Sequence, residues 1–254
     1  MIARRQVQSL LGAEFEKEII FTSGGTESNN TAILSALEIQ HGRNEIVTSV
    51  VEHPSVLAVC DSLERSGRAV VHRIPVDGSG QLDREAYRSA LSANTALVSM
   101  QWANNETGTM FPVRELAQEA HDAGALFHCD AVQAAGKVLI RTQSTQIDLL
   151  SISARKMHGP KGIGALYLRS GTKLAPLLHG GKQERGRRAG TENTVAIVGF
   201  GIAADLADQG PAPRDAKSRR SAQLVGRGTP SPRPWLNSHR QLEQSPAQHA
   251  QHCL

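Results

Sequence analysis

Over residues 1–208, short apolar or β-branched runs alternate with stretches whose apolar positions recur at helical spacing. Ile2, Val7, Leu10 and Leu11 mark a first amphipathic helix. Residues 18–23 (EIIFTS) predict a strand, Gly24-Gly25 a turn, and residues 26–37 a helix. Further strands are predicted at 46–50, 69–76, 96–103, 125–131, 148–154 and 163–169, with helices at 55–65, 83–91 and 113–122. Strands alternating with helices imply an α/β fold, a mainly parallel sheet covered on both faces in three layers. Sheets of that kind bind ligands at the carboxyl ends of their strands.

Beyond residue 208 the periodicity stops. Residues 211–254 hold six of the eleven prolines, much Arg, Ser and Gln, and one aromatic residue, Trp235. Such a segment buries too little apolar surface to offset its ordering entropy, so 209–254 is expected to be a disordered tail. The tail also accounts for the chain's basicity. It has seven Lys/Arg against two Asp/Glu, a surplus of five that exceeds the net charge of +4 for all 254 residues. The remainder is slightly acidic, which argues against a nucleic-acid-binding body. No run approaches the roughly 18 apolar residues of a membrane span. The start, Met1-Ile-Ala-Arg-Arg, lacks a secretory pattern, so a cytoplasmic protein with no membrane partner is expected. Cys60, Cys129 and Cys253 lie far apart without a CxxC pair, which disfavours a disulfide framework or zinc site.

The candidate chemistry lies at strand ends. Ser151-Ile-Ser-Ala-Arg-Lys-Met-His-Gly-Pro-Lys-Gly runs from a strand into a loop holding Ser153, Arg155 and Lys156. A rigid strand end with small neighbours suits a lysine that bonds a flat carbonyl cofactor. In Phe127-His-Cys-Asp-Ala-Val-Gln, Asp130 ends an apolar strand, where an unpaired carboxylate needs a cation such as a protonated pyridine nitrogen. Gln133 follows three residues later. Ser23-Gly-Gly-Thr-Glu-Ser-Asn offers a glycine turn, a helix start and the Thr26 hydroxyl, the makings of a phosphate cradle that includes Gly25. His53 in Val-Glu-His-Pro and Asn105 in Asn-Asn-Glu-Thr-Gly follow two more strands. The loop 180–193 (GGKQERGRRAGTEN) carries four cationic side chains and reads as a second anion-binding arm. Each piece alone also has a plainer reading: Lys156 as a surface lysine, Asp130 as a helix cap, 180–193 as a solvated loop.

Taken together, SGGTESN, VEHPSV, NNETG, CDAVQ, SxxKxxGPKG and GGxQERGRRAGTEN resemble the cysteine desulfurases, NifS-type enzymes of the class V aminotransferase family, over residues 2–208. The resemblance implies the large domain of a fold-type I pyridoxal-phosphate enzyme. Lys156 then holds the cofactor covalently, Asp130 meets the pyridine nitrogen and His53 stacks on the ring. Gln133 and Asn105 lie at the ring oxygen or its surroundings, and Gly25, Thr26, Ser153 and Arg155 on the phosphate side. Thr191 matches a residue that completes the phosphate site of the partner in a homodimer. The implied reaction converts L-cysteine to L-alanine and passes sulfur, as a persulfide, to an iron–sulfur scaffold protein for nitrogenase clusters. Arg155 stands where the family usually has histidine. The match is also expected to lack an N-terminal segment, the small C-terminal domain and the nucleophilic cysteine loop, as in a frameshifted or damaged copy, which predicts impaired turnover. The alternatives are a selenocysteine lyase-like enzyme or a catalytically dead cofactor-binding or dimerisation fragment.

Overall fold

A computed structural model describes residues 2–210; the expected tail lies outside the described residues. Seven strands form one sheet: β1 (Ile19–Thr22), β2 (Glu45–Ser49), β3 (Val70–Ile74), β4 (Thr95–Gln101), β5 (Leu126–Asp130), β6 (Leu149–Ser153) and β7 (Gly164–Leu168). Their order is β1-β7-β6-β5-β4-β2-β3. The pairs β6-β5, β5-β4, β4-β2 and β2-β3 are parallel, and β7 is antiparallel to both β6 and β1. The sheet is thus mainly parallel, with one reversed strand. That strand follows directly from the lysine loop and returns the chain to β1.

Side chains one residue apart on a strand point to opposite faces, and the core divides accordingly. Ile46 and Leu97 join Ile33, Val56 and Cys60 from α2 (Gly25–Ile39) and α3 (Pro54–Arg65). Their strand neighbours Val47 and Val98 join Leu116, Val7 and Phe200 on the other face. These come from α5 (Val113–Asp122), α1 (Ile2–Leu11) and α6 (Thr194–Asp208). Both faces are therefore covered, as the alternation of strands and helices predicts. The remaining helix, α4 (Arg84–Ala90), opens on Asp83, whose carboxylate accepts from the Glu85 and Ala86 N–H groups at 3.0 and 2.9 Å.

One helix escapes the sequence pattern. The α6 sequence TVAIVGFGIAADLAD is apolar around most of its circumference, so no polar stripe announces it. Its buried face carries Ile197 and Phe200, while Val195, Val198, Ile202 and Leu206 remain exposed. The Asn193 side chain caps it through the Ala196 N–H at 3.1 Å.

β7 packs closely on the turn that follows β1. A Cβ added at Gly164 would sit 2.6 Å from the Ile152 carbonyl oxygen and 2.7 Å from the Gly24 Cα, both backbone atoms that cannot swing aside. Gly164→Ala is therefore expected to destabilise the protein by about 1–3 kcal/mol, measured by denaturant unfolding. It should also move the Gly24 turn described next.

Candidate active site

The five strand ends meet in a cleft of about 260 Å³. It forms because β1, β2, β4, β5 and β6 run the same way, so the loops that follow them share one edge of the sheet. Asp130, Gln133, His53 and Asn105 line it from the β5, β2 and β4 side. Gly25, Thr26, Ser153, Arg155 and Lys156 line it from the β1 and β6 side. Nine of the ten residues singled out in the sequence are thus brought together. The tenth, Thr191, lines a neighbouring cleft of about 240 Å³ with Glu184, Arg188 and Asn193; the two clefts share only Ser23 and Gly162.

Asp130 lies at the floor, 6% exposed. Its Oδ1 accepts from the Val132 N–H at 3.0 Å and its Oδ2 from the Asn29 amide at 2.7 Å. Burial pushes its carboxyl above the usual range, opposed by those two bonds and the nearby His53. Among the described residues no cationic side chain forms an ion pair with it, so a cationic ligand is the partner that would favour its charged form. The Asn29 amide also donates to the Ser55 hydroxyl at 2.8 Å, and that hydroxyl lies 2.7 Å from His53 Nδ1. The Ser55 N–H donates to the same Nδ1 at 3.1 Å, fixing His53 as the cap of α3 with its Nδ1 as acceptor. A continuous chain of hydrogen bonds thus links the imidazole to the carboxylate.

The cradle is built by Gly24, whose φ of 154° disfavours a side chain, at the cap of α2. The first-turn N–H groups and the helix dipole face the cleft mouth beside the exposed Thr26. Glu27 braces the turn. Its Oε2 accepts from the Ser23 N–H at 2.8 Å, and Arg188 grips both its oxygens at 2.8 and 3.1 Å. The 180–193 arm therefore spends Arg188 on tying the arm to the cradle. Arg188→Ala is expected to weaken phosphate-dependent ligand binding several-fold, read by titration with pyridoxal phosphate beside pyridoxal, because the turn loses its brace and not its donors.

Lys156 is half-buried in a single 3-10 turn (Ala154–Met157) that follows β6. A second amine, Lys137, stands within electrostatic reach of it. Lys137 donates to Gln133 Oε1 at 2.9 Å, and burial, with Lys156 second, holds its ammonium below the ordinary range. Asn105 lines the cleft with its amide turned to Glu106, while Asn104 shapes the turn by accepting from the Glu106 and Thr107 N–H groups at 2.9 Å each.

Asn29, Ser55 and Gln101 also line the cleft, with Glu52 buried next to them, and none of the four stood out in the sequence. Asn29, Glu52 and Ser55 had a usable signal, since each sits within SGGTESN or VEHPSV. Gln101 had none. Asn29 Oδ1 and Gln101 Nε2 are buried without a partner, one acceptor and one donor beside Asp130. The donor set fits pyridoxal phosphate: an anion cradle, an amine, an imidazole and a buried carboxylate in need of a cation. No described cysteine is a thiolate. Burial pushes Cys60 up to about 12 and Cys129 well above its ordinary value.

This fold and site define a class, and residues 2–227 match the aminotransferase class-V family; the chain belongs to it. Within that class it is 64% identical over 205 residues to a cysteine desulfurase of Gluconacetobacter diazotrophicus, covering 81% of this chain and 51% of that one. It is 58% identical over 207 residues to the cysteine desulfurase NifS of Azotobacter vinelandii, covering 82% and 51%. Among solved structures, a NifS-like protein superposes with a TM-score of 0.81 at 37% identity, covering 88% of this chain and 62% of that one. SspA in complex with cysteine gives 0.79 at 37% identity, covering 89% and 64%. The chain spans about half the length of the curated relatives it matches.

Proposed function

We propose that the chain carries the cofactor-binding part of a cysteine desulfurase that uses pyridoxal 5'-phosphate to convert L-cysteine to L-alanine. Sulfur leaves as a protein persulfide bound for iron–sulfur cluster assembly, through a scaffold protein that accepts it. The observation that carries the reading is the convergence of nine strand-end residues on one cleft around a buried, cation-seeking Asp130. The identity of 64% to a cysteine desulfurase supports the choice of substrate.

In this reading the Gly24-Gly25-Thr26 turn, Ser153 and Arg155 would hold the phosphate, and His53 would lie against the ring. Asp130 would favour a proton on the ring nitrogen. The bound cofactor supplies an electron sink at the substrate α-carbon. Lys156 Nζ would anchor the cofactor and would carry the α-proton of a bound amino acid. The chain works as a cytoplasmic homodimer, with Thr191 completing the partner's phosphate site; its place in a separate cleft from Asp130 supports that role. Nucleic acid and membrane have no part in the proposal. Among the described residues, no helix is long and apolar enough to cross a membrane.

The sulfur step needs a mobile thiolate at the substrate sulfur. Among the described residues, Cys60 and Cys129 are buried and burial holds them towards the thiol, which favours a second reading for this part of the chain: a cofactor-binding module with little or no desulfuration. The expected result is therefore cofactor binding with sulfide release from cysteine no faster than that of free pyridoxal phosphate. Saturable, enzyme-dependent sulfide release would reject the impairment. Failure to bind the cofactor at all would reject the larger proposal.

A further inference from the structure

We propose that Glu52 is a positioning residue whose carboxyl group, bridging the ends of β2 and β4, holds His53 and Asp130 at the spacing the cofactor ring requires. The inference rests on the pyridoxal-phosphate reading of the cleft. Glu52 is 5% exposed and sits beneath the cleft, immediately before His53. Its Oε1 accepts from the Ser49 hydroxyl at 2.7 Å and from the Gln101 N–H at 3.0 Å. Gln101 is the register partner of Asp130 across β4 and β5, and the Trp102 N–H donates to the Asp130 carbonyl at 2.9 Å. One oxygen atom therefore ties the backbone that presents His53 to β4 at Gln101, the residue that pairs in register with Asp130 on β5.

The second oxygen, Oε2, is buried without a partner. An ionised oxygen left so costs far more than a hydroxyl in the same place. The groups that face Glu52 offer no cation: Asp130 and Cys129 on β5 and Cys60 on α3 are within electrostatic reach. Burial, with Asp130 adding to it, pushes the Glu52 carboxyl up to about 8 against the two hydrogen bonds from Ser49 and Gln101. The unpartnered Oε2 and the lack of a facing cation favour the neutral acid for Glu52, which would leave Asp130 as the carboxylate available to a ring nitrogen.

Three variants test this by cofactor titration and by the ring-proton NMR signals of His53 in cofactor-free protein. Glu52→Gln keeps an acceptor oxygen and a neutral group, so it is expected to retain pyridoxal-phosphate affinity within about threefold and leave the His53 signals in place. Glu52→Ala removes the acceptor, and affinity is expected to fall about tenfold or more, with the His53 signals displaced. Ser49→Ala, which deletes one donor alone, gives a smaller change of the same sign and stands in should Glu52→Ala not fold. A third readout is the pH dependence of melting. An acid raised to about 8 costs stability progressively as pH climbs from its unfolded value towards 8, so Glu52→Gln flattens that fall. Asp130 contributes a fall of its own that remains in both proteins. Equal loss of affinity in Glu52→Gln and Glu52→Ala overturns the proposal, as does an unflattened melting profile or an unmoved His53 in Glu52→Ala. If wild type shows no Lys156-dependent cofactor binding, the functional reading fails, and the NMR and melting data still decide the placing of Glu52.

Discussion

Lys156→Ala is expected to abolish covalent attachment of pyridoxal phosphate. Borohydride reduction followed by peptide mapping should place the label on Lys156 in the wild-type protein and nowhere in the variant. The loss is expected to be complete because it removes the bonding atom itself. Its interpretation needs one control that the sequence did not announce. Lys137 lies near Lys156 with its ammonium held below the usual range, so it is the amine best placed to take up stray aldehyde. Lys137→Ala is expected to keep the label on Lys156. Wild-type labelling yield in Lys156→Ala, mapped to residue 137, would move the assignment there.

Asp130→Asn is expected to leave cofactor binding measurable and to slow α-proton exchange of a bound amino acid with solvent by about 100-fold or more. The amide still accepts a hydrogen bond from Val132 N–H or Asn29, so the floor of the cleft keeps its shape. What disappears is the negative charge. A carboxylate buried without a cationic side chain favours a proton on the ring nitrogen, and a neutral amide does not. Exchange at the wild-type rate, measured by loss of deuterium from labelled alanine, would remove Asp130 from its role. The same experiment on Asn29→Ala should give an intermediate value, since Asn29 orients the carboxylate without supplying its charge.

The sheet and most of its boundaries were legible because two rules act locally. Alternation of apolar positions marks strands such as 46–50, observed as Glu45–Ser49, and helical spacing marks stretches such as 113–122, observed as Val113–Asp122. α6 was illegible because it is apolar around most of its circumference and so has no period to detect. The reversal of β7 was equally hidden, since strand direction depends on where the chain returns and leaves no mark in a five-residue run. For the site, titratable residues at strand ends were readable. The polar contacts beneath them were not, because Gln101 and Glu52 act through backbone N–H groups and burial that arise only when β2, β4 and β5 are side by side. Thr191 illustrates a different limit. Its motif is readable, but the geometry of a single chain puts it outside the cleft where the other nine residues converge.

The reversed strand has a consequence for the order of assembly. β1 gains its sheet partner only when Ile19 meets Tyr167 and Thr22 meets Gly164, contacts that close a loop of well over a hundred residues. Loops of that length are slow to close and are populated late on the folding path. The Gly24 turn, which hangs from β1, is therefore among the last parts of the molecule to take shape. Cofactor capture during refolding should lag behind the recovery of far-ultraviolet circular dichroism. A ribosome-released chain that stops before Gly164 should be unable to hold pyridoxal phosphate, even with Lys156 already in place.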